Sequence, residues 1–453
     1  MKKIIAALVC IEIAVLFVVV LASIALYMQT ALAGENKIEY QTDSDKTDQP
    51  ENINNPQLRA PTAEEKQTYP LSTNLPALYI TVGGSMSKIT KEKYVAGKYT
   101  LVCGEEEGIY DALLTIKGRG NYSWSNPKKP YNIKLNKPMG LLGMKSARKW
   151  VLLGDYVDKT LLRSYMTFTL MREISGDFNP DCRYVDVFFN GKYNGTYLLL
   201  EAIQIHENRV DIDEETEAIF EIEATYRHEG HENCVKMSLS GDHHIMYKRP
   251  GEKDIYPDVR AANLEKFKTF FMELEASFTK GYNSYCEYID VDSFIDWYIV
   301  NEFVKNYDSG FTSSCYCYIK DGKLHMGPIW DYHTCYGNQD VATGLNPKGY
   351  HVQTTSPWYS VLCRDETFAG LLRERWTQLV DDGVFDGFVK TIFSTAEYIS
   401  ASADKNFKIW PDAMKDKSLR GKPAKYTYDE ELDYMVKWCM ERINWLNGEW
   451  YIK

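Results

Sequence analysis

The chain has 453 residues, 44% hydrophobic and 25% charged, enough apolar material for one large or two ordinary cores and too much for a disordered protein. Lys plus Arg number 52 against 63 Asp plus Glu, and the resulting net charge of −11 repels phosphate backbones and excludes nucleic-acid binding as a main role.

Lys2 and Lys3 precede an apolar run from Ile4 to Tyr27, broken by Glu12 and Ser23, which is long enough to cross a bilayer. Its length predicts an uncleaved membrane anchor, although Ala31-Leu32-Ala33 before Gly34 also offers a cleavage site. Either way, the positive flank sends the rest of the chain outward, to the cell surface or into the medium. Cys10 lacks the small residue expected before a lipidated cysteine, so a lipoprotein is rejected. Residues 34–68 are acidic, rich in Asn, Gln, Thr and Pro, and expected to be a disordered tether.

From Leu75 short alternating runs, 77–82, 98–102 and 112–116, predict antiparallel strands. Leu162, Met166, Leu170 and Ile174 predict a helix over 158–175, and Asn190-Gly191 predicts the turn of a hairpin formed by 185–189 and 193–203. Strands are expected at 219–224 and 244–248, with a loop around His228–His231 between them. After Pro257 the chain turns helical; Val291–Asn306 is apolar almost all round, as a buried helix should be. A hairpin of 315–319 and 324–329 follows, then a Gly/Pro/Thr-rich loop over 340–356 and helices from 358 to 450. The class is α+β, with a leader at 1–33, the tether at 34–68, a strand-rich lobe at 69–205 and a larger, mainly helical lobe at 206–453. Beyond the leader stand nine cysteines, an odd number, expected to be mostly free buried thiols with room for one or two disulfides.

Lys117-Gly118-Arg119-Gly120-Asn121 falls in a turn between strands, where two glycines let backbone amides approach a phosphate, and the next strand aims Lys134 to one face. The same residues also suit a plain turn and a solvent-facing lysine. Asp308 ends the buried helix and Asp331 ends a strand. One carboxylate can take a hydroxyl proton and the other hold magnesium, the division phosphoryl transfer needs, although turn and strand-end roles fit too. Cys315, Cys317, His325, His333 and Cys335 offer soft ligands for zinc, but their spacing fits no common module. The 33 Tyr and 10 Trp would also suit a glycan binder, an unspecific signal.

The strings 117–121 with Trp124 and Lys129-Pro130-Tyr131, then Asp158-Lys159 with Leu162-Arg163, Asn190-Gly191-Lys192-Tyr193-Asn194-Gly195 through Leu199 before Glu201, and Pro328-Ile329-Trp330-Asp331-Tyr332 resemble the CotH-type atypical kinases, the spore coat protein H family, over about residues 76–340. The resemblance implies a divergent, protein-kinase-like two-lobed fold, with an antiparallel-sheet first lobe and a mainly helical second lobe. It implies transfer of phosphate from ATP, with magnesium or manganese, to Ser or Thr of an exported or surface protein. By position, Gly118, Arg119, Gly120 and Asn121 resemble the phosphate-covering loop and Lys134 the phosphate-gripping lysine. Helix 158–175 takes the regulatory-helix place, and Glu201 lies near the nucleotide base. Asp308 resembles the catalytic aspartate and Asp331 the metal ligand. His333 departs from the family's Trp-Asp-x-Asp by standing beside the metal in place of a carboxylate, and Thr312, Ser313 and Ser314 replace the usual asparagine ligand. The chain is then either a kinase with altered metal binding or an inactive surface or coat-assembly scaffold.

Overall fold

A computed structural model describes residues 57–225, 233–251, 255–339, 341–415 and 427–453, all in the unit Ser44–Lys453. The expected anchor, most of the tether and much of the loop around His228–His231 lie outside the described residues. Among the described residues no helix is long and apolar enough to cross a membrane. The end of the tether is ordered: Ala63–Thr68 is helical, started by a reciprocal Thr62–Glu65 capping box, and Arg59 forms a β-bridge with Gly108.

Seven strands follow: β1 (Ala77–Val82), β2 (Val95–Val102), β3 (Ile109–Gly118), β4 (Tyr131–Met139), β5 (Ala147–Leu153), β6 (Cys182–Phe189) and β7 (Lys192–Glu201). They close into a barrel in the order β1-β2-β3-β4-β5-β7-β6, sealed where β1 pairs with β6 in parallel. An all-antiparallel sheet was expected; the parallel seam adds the pairing that removes its two open edges. Alternation explains the interior: Ile116, Ile133, Leu135, Trp150, Leu152, Val185, Val187 and Leu199 point inward and form one apolar cluster. At the hairpin Asn190 and Gly191 both take positive φ, 48° and 77°, as a turn matched to strand twist requires.

The first long helix, α1 (Arg163–Ile174), starts five residues later than the sequence pattern predicts. Asp158 turns the preceding loop instead, accepting from the backbone of Thr160 and Arg163 and pairing with the buried Arg163 guanidinium. Its apolar side packs with outward-facing Val151, Cys182, Tyr184, Leu198 and Leu200 of the barrel in a second, larger core. That core also takes in a five-stranded antiparallel sheet, ordered β12-β11-β8-β10-β9, from β8 (Ile219–Ala224), β9 (Cys234–Lys236), β10 (His243–Arg249), β11 (Cys315–Lys320) and β12 (Lys323–Met326). Around it lie α2 (Pro257–Phe278), α3 (Val291–Val304), α4 (Glu366–Asp381), α5 (Val384–Ile409) and α6 (Tyr428–Trp450). From Ser293 to Val304 every residue of α3 is buried, as its all-round apolar sequence predicts. The nine cysteines beyond the leader are all free thiols.

Candidate functional site

The turn after β3 is shaped by its glycines. A Cβ on Gly118 would meet the Trp124 ring at 2.4 Å, and Gly120 takes φ +80° with Ser123 Oγ where its Cβ would stand. Trp124 and Ser123 belong to a helical turn, Tyr122–Ser125, that folds back over the loop. Asn121 sits at that turn's N-cap without making a side-chain cap, its Oδ1 3.5 Å from Lys91 Nζ. The loop carries Arg119 over the Trp330 ring, 4.8 Å from its centroid. Burial lowers the pKa of this guanidinium, against the pull of Asp331, Tyr316, Asp155 and Glu221. Arg119 and Asp331, far apart in sequence, thus act on one another.

Asp308 lies in the 3-10 turn Tyr307–Gly310 directly after α3; its carbonyl accepts from Thr312 N at 3.0 Å and Cys315 Sγ at 3.1 Å. Asp331 takes φ +68°, a conformation uncommon for a residue with a Cβ. The buried Asn306 joins the two segments: its Nδ2 donates to the Asp331 carbonyl at 3.2 Å, and its Oδ1 accepts from Thr334 Oγ1 at 3.1 Å. His333 Nδ1 stands 2.6 Å from Asp331 Oδ1. Burial pushes the imidazole pKa down, but Asp331, Asp155 and Asp308 outweigh it and raise it to about 9. The imidazole thus contacts Asp331 and also feels the charges of Asp155 and Asp308.

Asp155 was not singled out by the sequence pattern. It follows β5 with φ +43°, 3.3 Å from Ser164 Oγ, and burial with neighbouring Asp158 raises its pKa to about 6 against His333 and Lys128. The only signal for it was a Gly-Asp pair closing an apolar run. Lys128 was missed as well: it is buried, donates to Thr196 O and, at 2.7 Å, to Asn406 Oδ1, and its ammonium pKa is pushed down to about 7 by burial.

The remaining expected residues of the nucleotide site sit on the barrel strands. Lys134 pairs in register with Thr115 and Lys149 on the outward face of the barrel, beside Val151 of the core shared with the helices. Glu201 ends β7, where the chain leaves the barrel, but its carboxylate is engaged with Arg209 at 2.9 Å and the Asp181 amide at 3.1 Å. The proposed zinc ligands do not assemble: Cys315 and Cys317 pack in the core, and His325 turns to Asp177 at 3.0 Å. Thr312 and Ser314 give backbone bonds, the latter to Glu221 Oε1 at 3.0 Å, while Lys248 pairs with Glu221 at 2.7 Å. A cavity of about 700 Å³ bordered by Leu58, Leu71, Tyr165, Arg183 and Tyr398 opens apart from all of these.

Residues 116–446 match the family model described as CotH kinase protein, which covers well over half of the chain. A relative, the inner spore coat protein H of Bacillus subtilis (strain 168), is 24% identical over 236 residues, 49% of this chain and 59% of that protein. The chain therefore spans less than two thirds of the curated relative it matches.

Proposed function

Since the chain belongs to the CotH kinase protein family, we propose that it transfers phosphate from ATP to Ser or Thr of an exported or surface protein, through a two-lobed, kinase-like arrangement of barrel and helical body. The observation that carries this reading is the placement of Arg119, on the glycine-shaped barrel loop, over the ring of Trp330, the residue that precedes Asp331. A cation presented from one side and acidic groups from the other suit a metal-bound polyphosphate between them.

Magnesium or manganese suits the Asp331 carboxylate, because hard divalent ions prefer oxygen donors, and Asp155 and Asp308 add negative charge around the neighbouring His333. Asp331 would hold the ion, with His333 beside it and Asp155 within electrostatic reach. The ion would supply charge neutralisation to the phosphates. Asp308 accepts the proton of the attacking hydroxyl, held in place by the turn after α3. Gly118, Gly120 and Asn121 present backbone to the phosphates, with Arg119 as charge, and Lys134 adds a second cation from the outer barrel face. Glu201 supports the base-proximal end indirectly, by fixing Arg209. The leader and the relative's name both support a location outside the cytoplasm, at a membrane or spore surface.

A second reading, an inactive scaffold for coat or surface assembly, is favoured by the Asp331–His333 pair: an imidazolium already neutralises the carboxylate a metal needs. Incubation of the purified protein with magnesium or manganese and ATP labelled separately at the γ and α positions decides between them. Protein labelled from γ alone supports the kinase, and label from α supports a nucleotidyl transferase. With His333→Asp, half-maximal labelling should require less metal; if neither protein takes label nor binds ATP with metal, the scaffold reading replaces the kinase.

A further inference from the structure

A second convergence of ligand-bearing side chains lies on the same segment, six residues before Asp331. Asp177 comes from the loop after α1, Asp290 caps α3, and His325 stands on β12. Their ligand atoms all lie within 4.8 Å of one another, with His325 Nδ1 at 3.0 Å from Asp177 Oδ2 and 4.0 Å from Asp290 Oδ1. Three separate elements thus aim one nitrogen and two carboxylates at a common point.

The imidazole is fixed in this pose. Tyr318, its cross-strand partner, stacks on it with centroids 4.9 Å apart and planes 14° from parallel. Asp290 Oδ1 already accepts from Ser293 N at 2.8 Å, but a carboxylate oxygen has a second lone pair for a cation. The surroundings are acidic: Asp292 and Asp296 lie in the opening turns of α3, and Asp296 feels both Asp292 and Asp177 even though Arg375 pairs with it. The side chains are 14% to 35% exposed, so water can reach the point and complete a coordination sphere.

We propose that Asp177, Asp290 and His325 bind a divalent transition-metal ion of the zinc class. Two carboxylates and a neutral imidazole balance the charge of such an ion, and the mixed oxygen and nitrogen set suits zinc or manganese better than magnesium. Bound there, the ion ties the α1–β6 loop, the start of α3 and β12 together, and so braces the strand that runs on to Asp331. The site is separate from the metal place assigned at Asp331.

The test uses the full-length protein stripped with a chelator and titrated with Zn²⁺ against a chromophoric competitor. Wild type and Asp331→Asn should share one equivalent of tight binding. His325→Ala and Asp177→Asn should lose at least about 10- to 100-fold in affinity, the loss that even outer-shell changes produce. His325→Gln keeps a hydrogen-bonding side chain beside Asp177, so the same loss in a folded His325→Gln protein excludes unfolding as the cause. Equal Zn²⁺ binding by wild type and all three of these variants overturns the proposal, as does tight binding that disappears only in Asp331→Asn.

Discussion

Two arrangements of charge contrast in this molecule. In the helical body Asp158–Arg163 and Glu302–Arg442 are fully buried pairs with every carboxylate oxygen engaged: Asp158 takes Thr160 and Arg163 donors, and Glu302 takes Arg442 at 2.8 Å, His351 N at 2.6 Å and Gln353 N at 3.1 Å. Around His333, Asp155, Asp308 and Asp331 act instead on a single imidazole. Closed pairs hold elements together, whereas carboxylates that share their counter-charges in a partly open place form an arrangement that a ligand completes.

The sharpest way to break this comparison is to change one charge of each kind. Asp308→Asn should lower γ-phosphate transfer by about 100- to 10,000-fold, as removal of a general base does, while the thermal midpoint stays within a few degrees of wild type. A midpoint that falls along with the rate would move Asp308 into the structural class. Arg163→Met should do the reverse, destabilising by about 3–5 kcal/mol in urea unfolding because Asp158 is left as a lone buried charge. Pairing it with Asp158→Asn should recover much of that loss.

The smaller effects refine the line between the two kinds. Because the His333 pKa is raised above its ordinary 6.5, the stability it contributes is fully present below that value and is lost as pH rises through about 9. The stability advantage of wild type over His333→Asn should therefore shrink between about pH 6.5 and 10, by about 3 kcal/mol. An advantage that stays flat across this range would show that the imidazole is not the counter-ion. Lys134→Ala should leave the fold intact and weaken ATP binding by about 0.5–1 kcal/mol, no more than about fivefold, read as a reduced ATP-induced thermal shift. An unchanged shift would place Lys134 outside the nucleotide site.

What the sequence made legible follows from the range of the forces involved. Strand 219–224, the Asn190-Gly191 turn and the all-round apolar helix beginning at Val291 depend on local periodicity and turn chemistry, and each stands where the pattern placed it. Strand β5 went unseen because two charged residues, Arg148 and Lys149, stand side by side between Ala147 and Trp150 and break the apolar alternation. Asp158 looked like a helix start because it does cap backbone amides, but in a loop that packs before α1 begins. At the site, Asp308, Asp331 and the loop around Arg119 were visible as types in suggestive places. Asp155, Lys128 and the bridging Asn306 were not, since their roles come from partners far along the chain: Lys128 meets Asn406, and Asn306 meets the segment around Asp331. Metal ligation failed for a related reason. Spacing grouped His325 with cysteines, whereas the fold hands it to Asp177 and Asp290.

The parallel seam between β1 and β6 has a consequence in time. During synthesis β1 can pair with β2 as soon as both emerge, but Ala77 must wait for Asp186, its partner across the seam. At a synthesis rate of about 5–20 residues per second that wait lasts about 5–20 s. Throughout it, one flank of β1 is an exposed row of amide and carbonyl groups open to any passing strand, so the nascent chain is most exposed to mispairing before β6 arrives to close the ring.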